Sequence, residues 1–301
     1  EWGELDLDRR VEIALETSHR IYREAMEEIG PDYIVQMVSG GDDSACAYAV
    51  GKELGIRTDL IIHGNTRTGL PGVSQFVIDN FSADGPDFAI ADAGDAYERY
   101  VLRKGFFGIG PGAHAFSYHL LKAGPFRKVR SAKLRQRKRG VKILLMNGAR
   151  KDESENRKKN LLERRADPSQ PGDVWTNLIH FWSKDVRDHY LETRGIVRSP
   201  IAKALCRSGE SMCGTQQAME DYVAAKMLDP VWGERMDALR AEAVRLHGFD
   251  WGQPFPKPRD PNQIDMFDGF QPMCIDCNSR SEFAPGNTPS PFHINQPKEA
   301  E

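Results

Sequence analysis

The sequence predicts an α/β protein: an open, doubly wound, mainly parallel sheet followed by a small helical region that carries cysteines. Three observations support this. Short apolar runs of strand length alternate with segments of helical period through residues 31–198. These runs are apolar along their whole length, which suits strands covered by helices on both faces. The first run ends in a double glycine directly before a helical segment.

Taken in order, residues 7–29 place Val11, Leu15, Tyr22, Met26 and Ile29 on one helical stripe, which Gly30-Pro31 ends. Residues 33–38 read as a buried strand. A glycine turn follows, then a helix from about Ser44 to Leu54, closed by Gly55. A second strand is expected at 59–63, and Pro71 opens the next helix. Further strands are expected at 87–91, 141–147 and 176–181, with helices between them. This alternation is that of a Rossmann-like sheet. Beyond about residue 198 come helical segments near 215–228 and 230–247, and then a proline-rich polar stretch at 253–272. From 284 onward the Pro, Asn and Ser content predicts disorder. The expected division is an N-terminal helix (1–30), the sheet domain (31–198), a helical cysteine-bearing region (199–283) and a tail (284–301).

Composition narrows the function classes. No apolar run approaches the ~20 residues of a transmembrane helix, and the first residues are charged, unlike a signal peptide. A cytoplasmic location without membrane association is therefore expected. A net charge of -3 excludes neither nucleic acid nor a small anion, because local distribution outweighs the sum. Four of the five cysteines lie in the last third, a pattern that suggests a metal or redox site before disulfides. Cys46, inside the first sheet helix, is most simply core.

Ser39-Gly40-Gly41-Asp42-Asp43-Ser44 joins the first strand to its helix. Adjacent glycines allow a sharp turn and close approach to a ligand. Free amides at the helix start favour a phosphate, and Ser39 and Ser44 add hydroxyls. The alternative is a plain turn with Asp43 or Ser44 as N-cap. The spacing is neither that of a Walker loop nor Gly-x-Gly-x-x-Gly.

With these residues in view, Ser-Gly-Gly-x-Asp-Ser resembles the pyrophosphate loop of the PP-loop ATP-pyrophosphatases, a superfamily that includes sulfonucleotide (PAPS) reductases and tRNA thiolases. His63-Gly64-Asn65-Thr66 with Gly69 and Pro71 resembles the family's second strand end, where Thr and Gly lie by the nucleotide. Gly148-Ala149-Arg150 with Glu153-Ser154 and Arg157 resembles the Gly-x-Arg-x-x-Glu-Ser-x-x-Arg signature of the reductase-like branch. Residues 181–186, Tyr190-Leu191 and Ser199-Pro200 resemble the segment that follows it. The resemblance implies ATP binding by Ser39, Gly40, Gly41, Asp42, Asp43, Ser44, His63, Thr66, Gly69, Gly148, Arg150 and Arg157, with Mg²⁺. Asp43, Ser44 and Arg150 would serve the chemistry. Arginine forks suit phosphate oxygens; salt bridging within the charged segment 151–165 is the alternative for Arg157 and Arg150. Asp42 departs from the family, in which many members carry Lys, so the neutralisation of pyrophosphate needs another source.

Cys206 and Cys213, separated by six residues, and Cys274-Ile275-Asp276-Cys277 could together form a Cys₄ site for zinc or an iron–sulfur cluster. Scattered buried thiols are the alternative. Leu205 to Gly214 resembles the Arg-Ser-Gly-Glu-x-x-Cys-Gly segment of the PP-loop proteins of DNA phosphorothioation systems, the SspD and DndC types. That resemblance implies a 4Fe–4S cluster, with Zn²⁺ as the alternative. It also implies a cysteine desulfurase as sulfur donor, other phosphorothioation components as partners, and DNA as acceptor. The Glu-Cys-Gly-Leu-His segment of the reductases does not occur in the sequence, which argues against sulfonucleotide reduction. Residues 127–142 carry nine basic side chains and no acid. Among them Arg135, Arg137, Lys138 and Arg139 are candidate DNA contacts; a solvated helix face is the alternative. The expected function is ATP cleavage to AMP and pyrophosphate to activate a DNA phosphate for sulfur insertion. A sulfonucleotide reductase and a tRNA thiolase are the rivals.

Overall fold

The computed structural model describes residues 5–135, 139–168 and 170–254. Six strands form one sheet: β1 (Tyr33–Val38), β2 (Leu60–Asn65), β3 (Asp87–Asp92), β4 (Ile143–Asn147), β5 (Arg164–Ala166) and β6 (Asp173–Asn177). Their order is β3-β2-β1-β4-β6-β5, and every neighbouring pair is parallel except β5 with β6. The chain steps outward from β1 to β2 and β3, then returns to the other side of β1 with β4. The direction of winding reverses between β1 and β4, where open α/β sheets bind ligands beyond their carboxyl ends. The expected doubly wound sheet is therefore the fold of this chain.

Helices cover both faces. On one side α1 (Leu7–Ile29), α2 (Asp42–Glu53) and α8 (Lys184–Thr193) bury Ile34, Val50, Leu144, Trp182 and Tyr190 in one cluster. The Trp182 indole donates to Ser18 at 2.9 Å and pins α1 to the sheet domain. α3 (Pro71–Phe81) extends this layer, with Val77 and Phe81 against Ile61. On the other side a long helical run seats Phe126 and Leu134 over Val35, Leu60, Ile62 and Leu145. It comprises α5 (Pro111–Tyr118), α6 (Gly124–Arg130) and two wider turns, His119–Ala123 and Ser131–Arg135. The first wide turn comes just before Pro125, which has no N–H to continue a regular ladder.

After the short α9 (Pro200–Leu205), α10 (Met219–Leu228) and α11 (Pro230–His247) share a core with α4 (Ala96–Lys104) around Tyr97, Tyr222, Trp232 and Trp251. The helical region thus packs onto the sheet domain's own elements. Among the described residues no helix is long and apolar enough to cross a membrane.

Two local expectations change. The apolar run expected as a strand at 176–181 leaves the sheet after Asn177, where His180 N–H donates to Asn177 C=O and Trp182 N–H to Ile179 C=O. Leu178 and Ile179 are buried by packing in the α1–α8 cluster, not by strand pairing. The first sheet helix starts at Asp42, with Gly41 as its N-cap, so neither Asp43 nor Ser44 caps it. The expectations for the tail and the proline-rich stretch lie outside the described residues.

Candidate active site at the carboxyl edge of the sheet

The loop after β1 is ordered by its own serines. Ser44 Oγ donates to the Gly41 carbonyl at 2.8 Å and accepts from the Ser39 amide at 3.1 Å. The Ser39 hydroxyl lies 3.2 Å from Ser44 Oγ and accepts from the Gly41 amide at 3.4 Å. Gly40 has φ +78°, and a Cβ there would come within 2.9 Å of Val73. No side chain caps the first turn of α2. Its amide dipoles therefore remain available to an anion.

The segment after β4 meets this loop at the reversal point. A Cβ on Gly148 would lie 2.3 Å from the Asp43 carbonyl, so only glycine lets β4 end against the first turn of α2. Arg150, nearly fully buried, donates from Nε to Asp43 Oδ1 at 2.8 Å and from Nη1 to the Trp182 carbonyl at 3.3 Å. Glu153 accepts from the Arg150 amide at 3.1 Å and pairs with Arg157, also buried. Ser154 caps α7 (Glu155–Asn160). In this state the salt bridge that sequence offered as the alternative for Arg157 is made.

Two arginines that sequence reasoning did not single out complete the cluster. Arg187 of α8 pairs with Asp43 and with Asp188 at 2.6 Å, and its Nη2 lies 3.9 Å from Asp42. Arg198 pairs with Asp42 and reaches Asp188 at 3.3 Å. Burial would lower the pKa of Arg187, but the Asp43 and Asp188 carboxylates outweigh it and hold the guanidinium charged. Asp42 thus faces arginines from outside the loop, and they balance its charge. A signal for Arg187 was present: it shares the inward face of α8 with Val186, Tyr190 and Leu191. An arginine at core spacing on a helix marks a buried charge site.

The end of β2 and the segment after it work mainly as a frame. His63 is fully buried, with Nδ1 at 3.0 Å from the Val38 carbonyl and Nε2 at 2.9 Å from Ser74 Oγ. A carbonyl only accepts, so Nδ1 carries the proton and Ser74 donates to Nε2. Burial lowers the His63 pKa. Thr66 Oγ1 donates to the Glu210 carbonyl at 2.7 Å, and Thr68 Oγ1 accepts from the Met212 amide at 3.0 Å. A Cβ on Gly69 would lie 2.2 Å from the Glu210 carbonyl, so Gly69 admits this second chain. The chain in question is the Arg207-Ser208-Gly209-Glu210 segment, whose Ser208 also abuts Gly41. Lys122 neutralises the buried Glu210 carboxylate at 2.5 Å.

The structure joins Arg150 to the loop through Asp43, and brings the Gly69 region toward it through the Ser208-Gly209-Glu210 segment. The cysteines differ. Cys206 is exposed, whereas Cys213 is buried with Thr215 Oγ1 at 3.3 Å and Ser117 Oγ at 3.7 Å from its sulfur. The two thiols sit in opposite environments, and the described residues include no group of three or more His, Cys, Asp or Glu placed to hold a metal. Cys274 and Cys277 lie outside the described residues, as do Arg137 and Lys138. Of the other candidate DNA contacts, Arg135 is buried against Asp173, with its Nη2 3.5 Å from the Val141 carbonyl, and so points inward. Arg139 is exposed.

No protein-family model matches this chain, and none of the curated proteins does. A solved structure is similar. The phosphoadenylyl-sulfate (PAPS) reductase from Candida auris, in a phosphate complex, aligns with a TM-score of 0.44 and 12% identity over 66% of this chain and 92% of that chain. The strand order and its reversal point define the fold of this chain.

Proposed function

We propose that this chain is an ATP-pyrophosphatase that activates a nucleic-acid phosphate, with DNA phosphorothioation as the setting. One observation carries this reading. Arg150, Arg187 and Arg198 converge on the uncapped first turn of α2 at the reversal point of the sheet, held there by Asp42 and Asp43. Three guanidinium forks beside free helix amides suit the β- and γ-phosphates of ATP, whose departure as pyrophosphate needs charge stabilisation. With Mg²⁺·ATP as substrate, Asp42 and Asp43 would offer oxygen ligands to the metal. Each would exchange an arginine for the cation while the arginines turn to phosphate.

In the proposed step an acceptor phosphate oxygen attacks the α-phosphorus. A new P–O bond forms, the α–β anhydride bond breaks, and pyrophosphate leaves. A persulfide from a cysteine desulfurase then displaces AMP, and a thiol cuts the resulting S–S bond. In the same reading Cys206, Cys213, Cys274 and Cys277 would hold a metal centre. Iron, sulfide and zinc content after anaerobic purification would test it.

The reading is tested by the products. Purified protein with Mg²⁺·ATP, DNA and a persulfide donor should yield AMP and pyrophosphate, and Arg150→Gln should slow this by about 10²–10³-fold, as for loss of a charge-stabilising donor. Formation of ADP and phosphate, or an unaffected Arg150→Gln rate, would refute it. Reduction of a sulfonucleotide by the protein with thioredoxin would establish the rival.

A further inference from the structure

The carboxyl edge of the sheet holds a second feature that the site above leaves unused. An open cleft of about 980 Å³ lies between the end of β3, the start of α4 and the helical run around α6. Asp92 and Arg99 form one wall, and Gly124, Arg127, Lys128 and Ser131 form the other. Asp92 is already neutralised by Arg67, whose Nη2 lies 2.6 Å from Oδ2, and it also accepts the Gly94 amide at 2.7 Å. Among the described residues Arg99 pairs with Asp95, at 3.7 Å, with both side chains 73% exposed, a pair that contributes little. Arg127 and Lys128 are exposed and make no ion pair among the described residues. Three cations thus line a concave surface whose one acid is committed elsewhere.

Position adds to the case. Phe126 packs on Gly64, where a Cβ would lie 2.7 Å from the ring, so α6 sits over the end of β2. Arg127 and Lys128 follow directly. β2 alone separates β3 from β1, so the strand that ends in the cleft runs about two strand spacings, roughly 10 Å, from the strand that ends in the phosphate loop. The small side chains of Ala93, Ala96 and Ala132 leave the trough unobstructed. An enclosed pocket suits a small molecule. An open trough with cations on both walls suits a chain that enters at one end and leaves at the other.

We propose that this cleft holds the phosphodiester backbone of a nucleic-acid strand, with Arg99, Arg127 and Lys128 as phosphate contacts that bring the strand beside the nucleotide. The proposal rests on the reading of the chain as an enzyme that activates a nucleic-acid phosphate. It adds contacts on the helical turn of Arg127 and Lys128, which is exposed, whereas Arg135 is buried.

The test uses the full chain and labelled 20-nucleotide DNA and RNA strands, with affinity followed against salt. Arg127→Gln with Lys128→Gln should weaken binding at least tenfold at low salt. The salt slope should fall by about 0.7 per lost contact on a single strand, or about 0.9 on a duplex. Arg9→Gln with Arg23→Gln, which removes two charges from α1, should leave the slope unchanged. Both replaced residues in the cleft are exposed, so the urea midpoint should not move. A slope that falls for both DNA and RNA supports the backbone site; an unchanged slope overturns it. Full competition by a nucleoside 3′,5′-bisphosphate at equimolar concentration would also overturn it, in favour of a small-anion pocket. ATP cleavage measured in the same variant keeps the two readings apart: intact cleavage with an unchanged slope fails the cleft alone. No cleavage by the wild type fails the enzyme reading, whatever the slope does.

Discussion

The carboxylates of Asp42 and Asp43 occupy the arginine forks that a polyphosphate would need, and this competition has a measurable sign. Asp42→Asn removes the charge that holds Arg198 and draws Arg187, and leaves their donors free. Pyrophosphate should then bind more tightly in magnesium-free buffer, by about 1–2 kcal/mol, the size of a charge-assisted hydrogen bond. Calorimetry with EDTA present measures this, and equal or weaker affinity would show that Asp42 does not compete. Ser44→Ala acts in the opposite sense. It removes the hydroxyl that joins the Ser39 amide to the Gly41 carbonyl, and should slow pyrophosphate release by about 1–3 kcal/mol in barrier terms. Single-turnover kinetics at saturating ATP would report it.

Among the elements, those with strong local signals were legible in the sequence, and those defined by tertiary contact were not. β1, α2 and β2 are apolar or glycine-punctuated, and their bounds shift by no more than two residues. β5 is three residues of Arg164-Arg165-Ala166 with no apolar run, and it exists because β6 offers it an edge. The 176–181 run misled because Leu178 and Ile179 are as apolar as a strand while α1 and α8 bury them as a turn. Gly69 and Gly148 could be noticed as motif glycines, but the backbone each admits was invisible: Glu210 comes from 141 residues further on. Gly148→Ala puts a methyl group into the Asp43 carbonyl and should push β4 away from α2. A cost of about 1–3 kcal/mol, as for overpacking, is expected in urea unfolding, together with loss of ATP binding. Unchanged stability and binding would mean that the approach of β4 to α2 is slack.

At the scale of the whole molecule, the helical region is fastened to the site by bonds that cross the sheet's edge. The Trp232 indole donates to the Thr68 carbonyl at 2.9 Å, and the Met212 amide donates to Thr68 Oγ1 at 3.0 Å. Nearby, His114 Nδ1 lies 3.2 Å from Thr215 Oγ1, and burial pushes the imidazole pKa down to about 3. The folded state therefore keeps His114 neutral through the range in which an unfolded chain takes up a proton, below about 6.5. Below that pH the unfolded state binds more protons, so stability must fall as pH falls from about 6.5 toward 3. The share of His114 is up to about 1.4 kcal/mol per pH unit between pH 6 and 4. Urea midpoints at pH 7.5 and 4.5 should differ accordingly, and His114→Asn, which can still meet Thr215 but does not titrate, should reduce that difference. Because Trp182 reports the α1 side and Trp232 and Trp251 the helical region, fluorescence and far-UV circular dichroism should give one coincident transition at each pH. An acid transition seen by fluorescence before the helices melt would show that the helical region detaches by itself, and that the bonds from Thr68 and Met212 do not couple it to the nucleotide edge.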